Sequence, residues 1–177
     1  MLTPLMTLET QPGQSRLEGI VELAKEVALR DGGHVPTLII EGTGESVITQ
    51  VPWLPDTPEH KQHMMREIGG AAAQTGRVGS LQTVFFIAEG WMSKAPPGGE
   101  PTMPPSQDPN RKEILQISSL QVESHKSEIV MFEMVRDGQR QLVELKRFDM
   151  GEGTEGSAPI LDAFVEGFVM TRRAKLN

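Results

Sequence analysis

Leu17, Ile20, Val21, Ala24, Val27 and Ala28 recur at the three- and four-residue steps that align side chains on one face of a helix. Ser15 precedes this run and Glu18 follows it by three positions, the two halves of a capping box. Asp31-Gly32-Gly33 ends it, so the pattern predicts a helix over Arg16–Arg30. The period then shortens. Thr37–Ile40 is a β-branched run between Pro36 and Gly42, which predicts a buried strand. Glu41–Gly44 predicts a turn, and Ser46–Val51 a strand that pairs back and is closed by Pro52. Thr57 and Pro58 supply the cap and first-turn proline of a second helix, with Met64, Met65, Ile68, Ala71 and Ala72 as its apolar face. Gly69 and Gly70 weaken that helix by about 1 kcal/mol each relative to alanine. We read the pair as a close helix–sheet contact, with a kink as the alternative.

Leu81–Glu89 (LQTVFFIAE) is the most apolar run and predicts the central strand, with Trp91 and Met92 following its end. Residues 93–110 hold six prolines and predict an extended loop. Ile114–Val122, Glu128–Arg136 and Gln141–Phe148 predict an antiparallel meander, with Ser124–Ser127 as one turn and Asp137-Gly138 as a hairpin signal. A glycine-rich loop, 151–157, leads to Pro159 and a last helix striped by Ile160, Leu161, Phe164, Val165 and Phe168. The predicted order is α-β-β-α-β-loop-β-β-β-α, a single α/β (α+β) domain of two or three layers around a mixed, mostly antiparallel sheet. Residues 1–14 form a loosely ordered lead, 15–150 the core domain with its proline-rich loop, and 151–177 the glycine-rich loop and C-terminal amphipathic helix.

Composition narrows the chemistry. The chain has 177 residues, long enough to bury about two thirds of its unfolded surface without a staple. It has no cysteine and no tyrosine, which removes disulfides, thiolate metal sites, cysteine nucleophiles and a tyrosine acid. With 24 acidic and 17 basic residues the net charge is -7, and no basic stripe emerges, so nucleic acid is not an expected partner. No apolar run approaches the ~20 residues of a membrane span. Met1–Gln14 lacks the basic and apolar regions of a secretory signal, and a cytoplasmic location is expected.

Four histidines remain. His60 and His63 are three apart at the start of the second helix with Glu67 one turn on, a spacing that puts all three near one face and makes them the candidate ligands of a zinc ion. The same segment also reads as a solvated first turn. Gly151–Gly156 matches G-x-G-x-x-G, but the preceding strand belongs to a hairpin, no strand follows, and Glu152 and Glu155 would face a pyrophosphate, so no nucleotide cofactor is expected. Neither a nucleophile elbow nor a P-loop occurs. Glu89 and Trp91, at the end of the central strand, and Asp108 and Arg111, at the end of the proline loop, are the candidate lining of a cleft. The competing reading of Trp91 is a core lid beneath the loop.

Three resemblances attach to these residues. Ala88-Glu89-Gly90-Trp91-Met92-Ser93, with Asp108-Pro109-Asn110-Arg111, resembles strings in an uncharacterised bacterial α/β protein family. Gly98–Asp108 (GGEPTMPPSQD) resembles the loop of JAB/MPN-type metalloproteases, in which Ser106 and Asp108 match the family's serine and aspartate while its histidine pair is missing. The opening element order is similar to the cytidine-deaminase-like fold, whose zinc signature is absent. The leading expectation is a non-catalytic binding or self-assembly domain, engaging a protein partner or a second copy through the C-terminal helix. The alternatives are a metal-dependent hydrolase of the deaminase/JAB group, using His60, His63, Glu67, Glu89 and Asp108, and a small-molecule binding domain with its cleft at Trp91.

Overall fold

A computed structural model of the chain describes residues 3–4, 15–93, 103–148 and 158–176. Most of the N-terminal lead, residues 94–102 of the proline loop, and the glycine-rich loop with its G-x-G-x-x-G string lie outside the described residues. The elements are β1 (Thr3–Pro4), α1 (Arg16–Asp31), β2 (Thr37–Gly42), β3 (Val47–Gln50), α2 (Pro58–Thr75), β4 (Leu81–Met92), a 3-10 turn (Pro105–Gln107), β5 (Lys112–Gln121), β6 (Lys126–Arg136), β7 (Leu142–Arg147) and α3 (Pro159–Leu176). The strands form one sheet in the order β1-β3-β2-β4-β5-β6-β7, and every pairing in it is antiparallel. The α+β class and element order follow the sequence periodicities, and β4 is the middle strand. The parallel component of the expected mixed sheet is absent among the described strands.

The period-two alternation of the long central strand sorts the core into two layers. Val84, Phe86 and Ala88 face α2 and α3 together with Leu38, Ile40 and Leu120. Phe85 and Ile87 face α1 together with Ile39, Leu115, Ile117, Val130 and Phe132. Thus β4 is buried on both faces, which is why its sequence reads as continuous apolar residues rather than as alternation. The result is three layers, with α1 on one face of the sheet and α2 with α3 on the other.

The helix ends follow their local chemistry. The Ser15 hydroxyl accepts the Glu18 N–H while the Glu18 carboxylate accepts the Ser15 N–H, and Gly32 closes α1 in the left-handed conformation. Thr57 caps α2 through the His60 N–H.

Gly69 does not contact the sheet, in contrast to the expected helix–sheet approach. A Cβ there would strike the Phe164 carbonyl oxygen, and one at Gly167 would strike the Arg66 carbonyl oxygen. The glycines let α2 and α3 cross backbone against backbone, and the Arg66–Glu166 ion pair at 2.8 Å flanks the crossing. The stripe of α3 is accordingly buried in the chain's own core, with Leu161, Phe164 and Phe168 among its members. Among the described residues of α3, Met170 is the large apolar side chain left exposed.

Both turns read from the sequence are present, and each is set by more than its glycines. Gly42 and Gly44 serve close approach: Thr43 and Gly44 donate to the Ser80 and Val78 carbonyls, leaving no room for a Cβ on either glycine. At the β6–β7 hairpin the Asp137 carboxylate accepts the Gln139 and Gln141 N–H groups, and Arg140, not Gly138, takes the positive φ of 65°. The turn is therefore an aspartate-capped loop rather than a two-residue Asp-Gly turn.

Candidate functional site

The pairing register gathers one end of the sheet. Thr37, near the start of β2, pairs with Gln50 of β3 and with Ile87 of β4, and Met92 pairs with Lys112 at the start of β5. The Pro36 carbonyl accepts the Val51 N–H, which holds the chain leading to Trp53 at the same end. Val35, Trp53, Trp91 and Met103 are exposed, the tryptophans to 64% and 45%. They make up four of the seven exposed large apolar residues among those described, and both tryptophans of the chain are included.

Trp91 is not a buried lid. Its ring carries the Arg111 guanidinium 4.4 Å from the ring centroid, a cation–π contact. The Arg111 guanidinium also donates to the Ser106 carbonyl, and the Arg111 N–H donates to the Asp108 carbonyl at 3.2 Å. The Asp108 carboxylate accepts the Asn110 N–H at 2.8 Å. Its pKa lies below the ordinary 3.8, because of that N–H first, then the Ser93 hydroxyl and the positive charge of Arg111. The proline loop therefore re-enters the sheet through a small folded unit whose cation rests on Trp91.

At the same end of the sheet a cavity of about 280 Å³ opens on the α2/α3 face; Trp91 borders it, while by alternation with Glu89 and pairing with Glu113 its side chain leaves the strand on the α1 face. Leu54, Phe86, Ile114, Ile129 and Ile160 give it apolar walls, with the first turn of α3 on one side. Its polar lining includes Lys61, Gln116 and Ser118. The Gln116 amide donates to the Ser118 hydroxyl oxygen at 2.8 Å, and Ser118 is only 4% exposed.

Glu89 lines the same cavity, but its carboxylate is engaged elsewhere. It accepts the His34 N–H in the loop after α1, as its alternation with Phe85 and Ile87 requires. It belongs to a charged cluster on the α1 face. There Arg136 grips Glu113 bidentately, at 2.7 and 2.6 Å, and donates to the Gly32 carbonyl at 3.0 Å. The Arg136 pKa is raised, chiefly by the Glu113 hydrogen bonds. This cluster fastens the end of α1 to β5 and β6.

Of the sequence candidates, Trp91, Asp108 and Arg111 are thus brought together, and Glu89 adjoins them with its carboxylate turned away. His60, His63 and Glu67 stand apart. His60 Nδ1 lies 2.9 Å from the Thr57 hydroxyl, within the helix cap. His63 and Glu67 are 3.8 Å apart and largely exposed. Among the described residues no group of three His, Asp or Glu side chains is placed to hold a metal ion. The expected zinc set is therefore not assembled, because the two imidazoles serve a cap and a solvated helix face.

Gln116, Ser118, Lys61 and the Glu113–Arg136 pair did not stand out in the sequence. The available signal was polar residues inside a strand that is otherwise apolar: Gln116 and Ser118 alternate with the buried Leu115 and Ile117.

A family model described as bacteriophage lambda protein ea47 matches residues 3–167. No curated protein and no solved structure matches the chain. The resemblance to the cytidine-deaminase-like/JAB group accordingly receives no support, and the family shown is a phage one.

Proposed function

The chain belongs to the bacteriophage lambda protein ea47 family, and from that premise we propose that it is a non-catalytic binding domain whose recognition surface is the sheet end carrying Trp53, Trp91 and Arg111. One observation carries this reading: both tryptophans are exposed at this end of the sheet, Trp91 carries the Arg111 guanidinium, and Trp91 and Leu54 border a cavity. Tryptophan and arginine dominate binding energy where they occur at interfaces, and concave, mostly apolar sites with a few polar groups are where small ligands bind. Action in the cytoplasm is part of the proposal; among the described residues no helix is long and apolar enough to cross a membrane.

The test is a tryptophan-emission screen in a Trp53→Phe background, so that Trp91 reports alone. Small molecules and peptides are titrated in pools. Saturable change of Trp91 emission by at least one pool, weakened by Arg111→Ala, is the expected result. Silence of Trp91 across all pools contradicts the proposal.

A further inference from the structure

Resting on that reading of the cleft, we infer that its ligand is a small aliphatic monocarboxylate, its oxygens at Lys61 and Ser118 and its chain against Phe86, Ile114 and Ile160. Lys61 lines the cavity and has no acidic partner among the described residues, whereas Lys25, Lys112, Lys126 and Lys146 each pair with a glutamate and Lys175 donates to the Gln74 carbonyl. The acidic residue of the cavity lining, Glu89, has its carboxylate held away by the His34 N–H. The cavity therefore offers a cation with no described counter-charge.

The Ser118 oxygen already accepts the Gln116 amide, so its own O–H is left to donate, and no described group receives it. A buried donor without an acceptor costs about 1–3 kcal/mol, and a ligand acceptor removes that cost. Two unmatched donors, one of them cationic, call for an anionic head group with two acceptor oxygens. Leu54, Phe86, Ile114, Ile129 and Ile160 supply the apolar part of the lining, which calls for a hydrocarbon.

Size sets the length. A cavity of about 280 Å³ is of the size that takes a medium-length chain, and octanoate is the probe of that length. A free acid is favoured over the carboxyl end of a peptide, because a peptide brings further backbone donors and acceptors to walls that have few groups to meet them.

Calorimetric titration of the full chain with octanoate, 1-octanol, octylammonium and acetyl-Leu-Leu tests the proposal. Octanoate is expected to bind one per chain, about fivefold more tightly than 1-octanol, the value of a partly exposed charge pair, with octylammonium weakest. Lys61→Met and Ser118→Ala are expected to erase the advantage of octanoate over 1-octanol, with an unchanged urea-unfolding midpoint showing that the variants are folded. Equal binding of octanoate and 1-octanol overturns the carboxylate and leaves the cleft reading standing. Octanoate binding that ignores both substitutions overturns the placement. Binding of acetyl-Leu-Leu but not octanoate overturns the free acid in favour of a chain terminus. If none of the four binds, the ligand class is overturned, and the Trp91 screen decides separately whether the cleft binds anything.

Discussion

The α2–α3 crossing and the Trp91 end of the sheet lie in one small protein, yet they are built on opposite principles. At the crossing, side chains have been removed so that backbones touch: Gly69 meets the Phe164 carbonyl and Gly167 meets that of Arg66. Phe164 and Leu161 fill the space beneath and are almost wholly buried. At the sheet end large side chains remain in water, with Trp53 and Trp91 exposed beside a cavity. The first region consumes its apolar surface in folding. The second withholds it, and folding alone gives no reason for two exposed tryptophans at one place. The comparison teaches where to expect effects on stability and where to expect effects on recognition.

The largest effect is expected from Phe164→Ala, which empties the centre of the α2/α3 layer and should cost about 4 kcal/mol in urea unfolding. Gly167→Ala follows at about 3 kcal/mol, since a Cβ there meets backbone that cannot step aside. Gly70→Ala is its control. The added Cβ meets the Thr171 hydroxyl at 3.0 Å, which a rotamer change relieves, and the better helix propensity offsets the rest. Equal losses at positions 167 and 70 would break the backbone-contact account of the crossing.

Arg136→Met, on the α1 face, is expected to cost about 2 kcal/mol, because it leaves Glu113 and the Gly32 carbonyl unmatched. Trp91→Ala sharpens the comparison from the other side. Its expected effect on unfolding is within about 0.5 kcal/mol, as for an exposed surface position, while ligand binding is lost. A large loss of stability would place Trp91 in the first region rather than the second.

The smallest effect concerns pH. The Asp108 carboxyl has its folded-state pKa below the ordinary 3.8. Its contribution to the folded loop is complete above the unfolded value and is lost as pH falls through the folded one. Acid titration read by Trp91 emission in the Trp53→Phe background should therefore show a step below pH 3.8 that Asp108→Asn removes.

Much of the fold was legible because its signals are local. Ser15 with Glu18, and Thr57 with Pro58, mark helix starts through bonds spanning three residues. The unbroken run from Val84 to Ala88 marks a strand covered on both faces. The partner of Gly69 was not legible, because Phe164 is 95 positions away and a glycine does not say what approaches it. The hairpin at Asp137 was legible as a turn, although the aspartate side chain, not the glycine, sets it. At the site, Trp91, Asp108 and Arg111 could be anticipated from their places at a strand end and a loop end. The orientation of Glu89 required the strand's alternation to be carried one residue past the apolar run. Lys61, Gln116 and Ser118 were hidden, since a cavity wall is drawn from several elements and none of them has a motif.

The most direct test of a recognition surface separate from the stability core is a two-dimensional ¹H–¹⁵N spectrum of the full chain titrated with octanoate. The two indole N–H signals serve as native reporters. The account predicts progressive shifts of the Trp91 indole, the Gln116 side-chain amide and the Ile160 amide, with the amides of Ala24 and Ala28 in α1 unmoved. Shifts concentrated on α1, or octanoate binding that leaves Trp91 and Gln116 untouched, would contradict it.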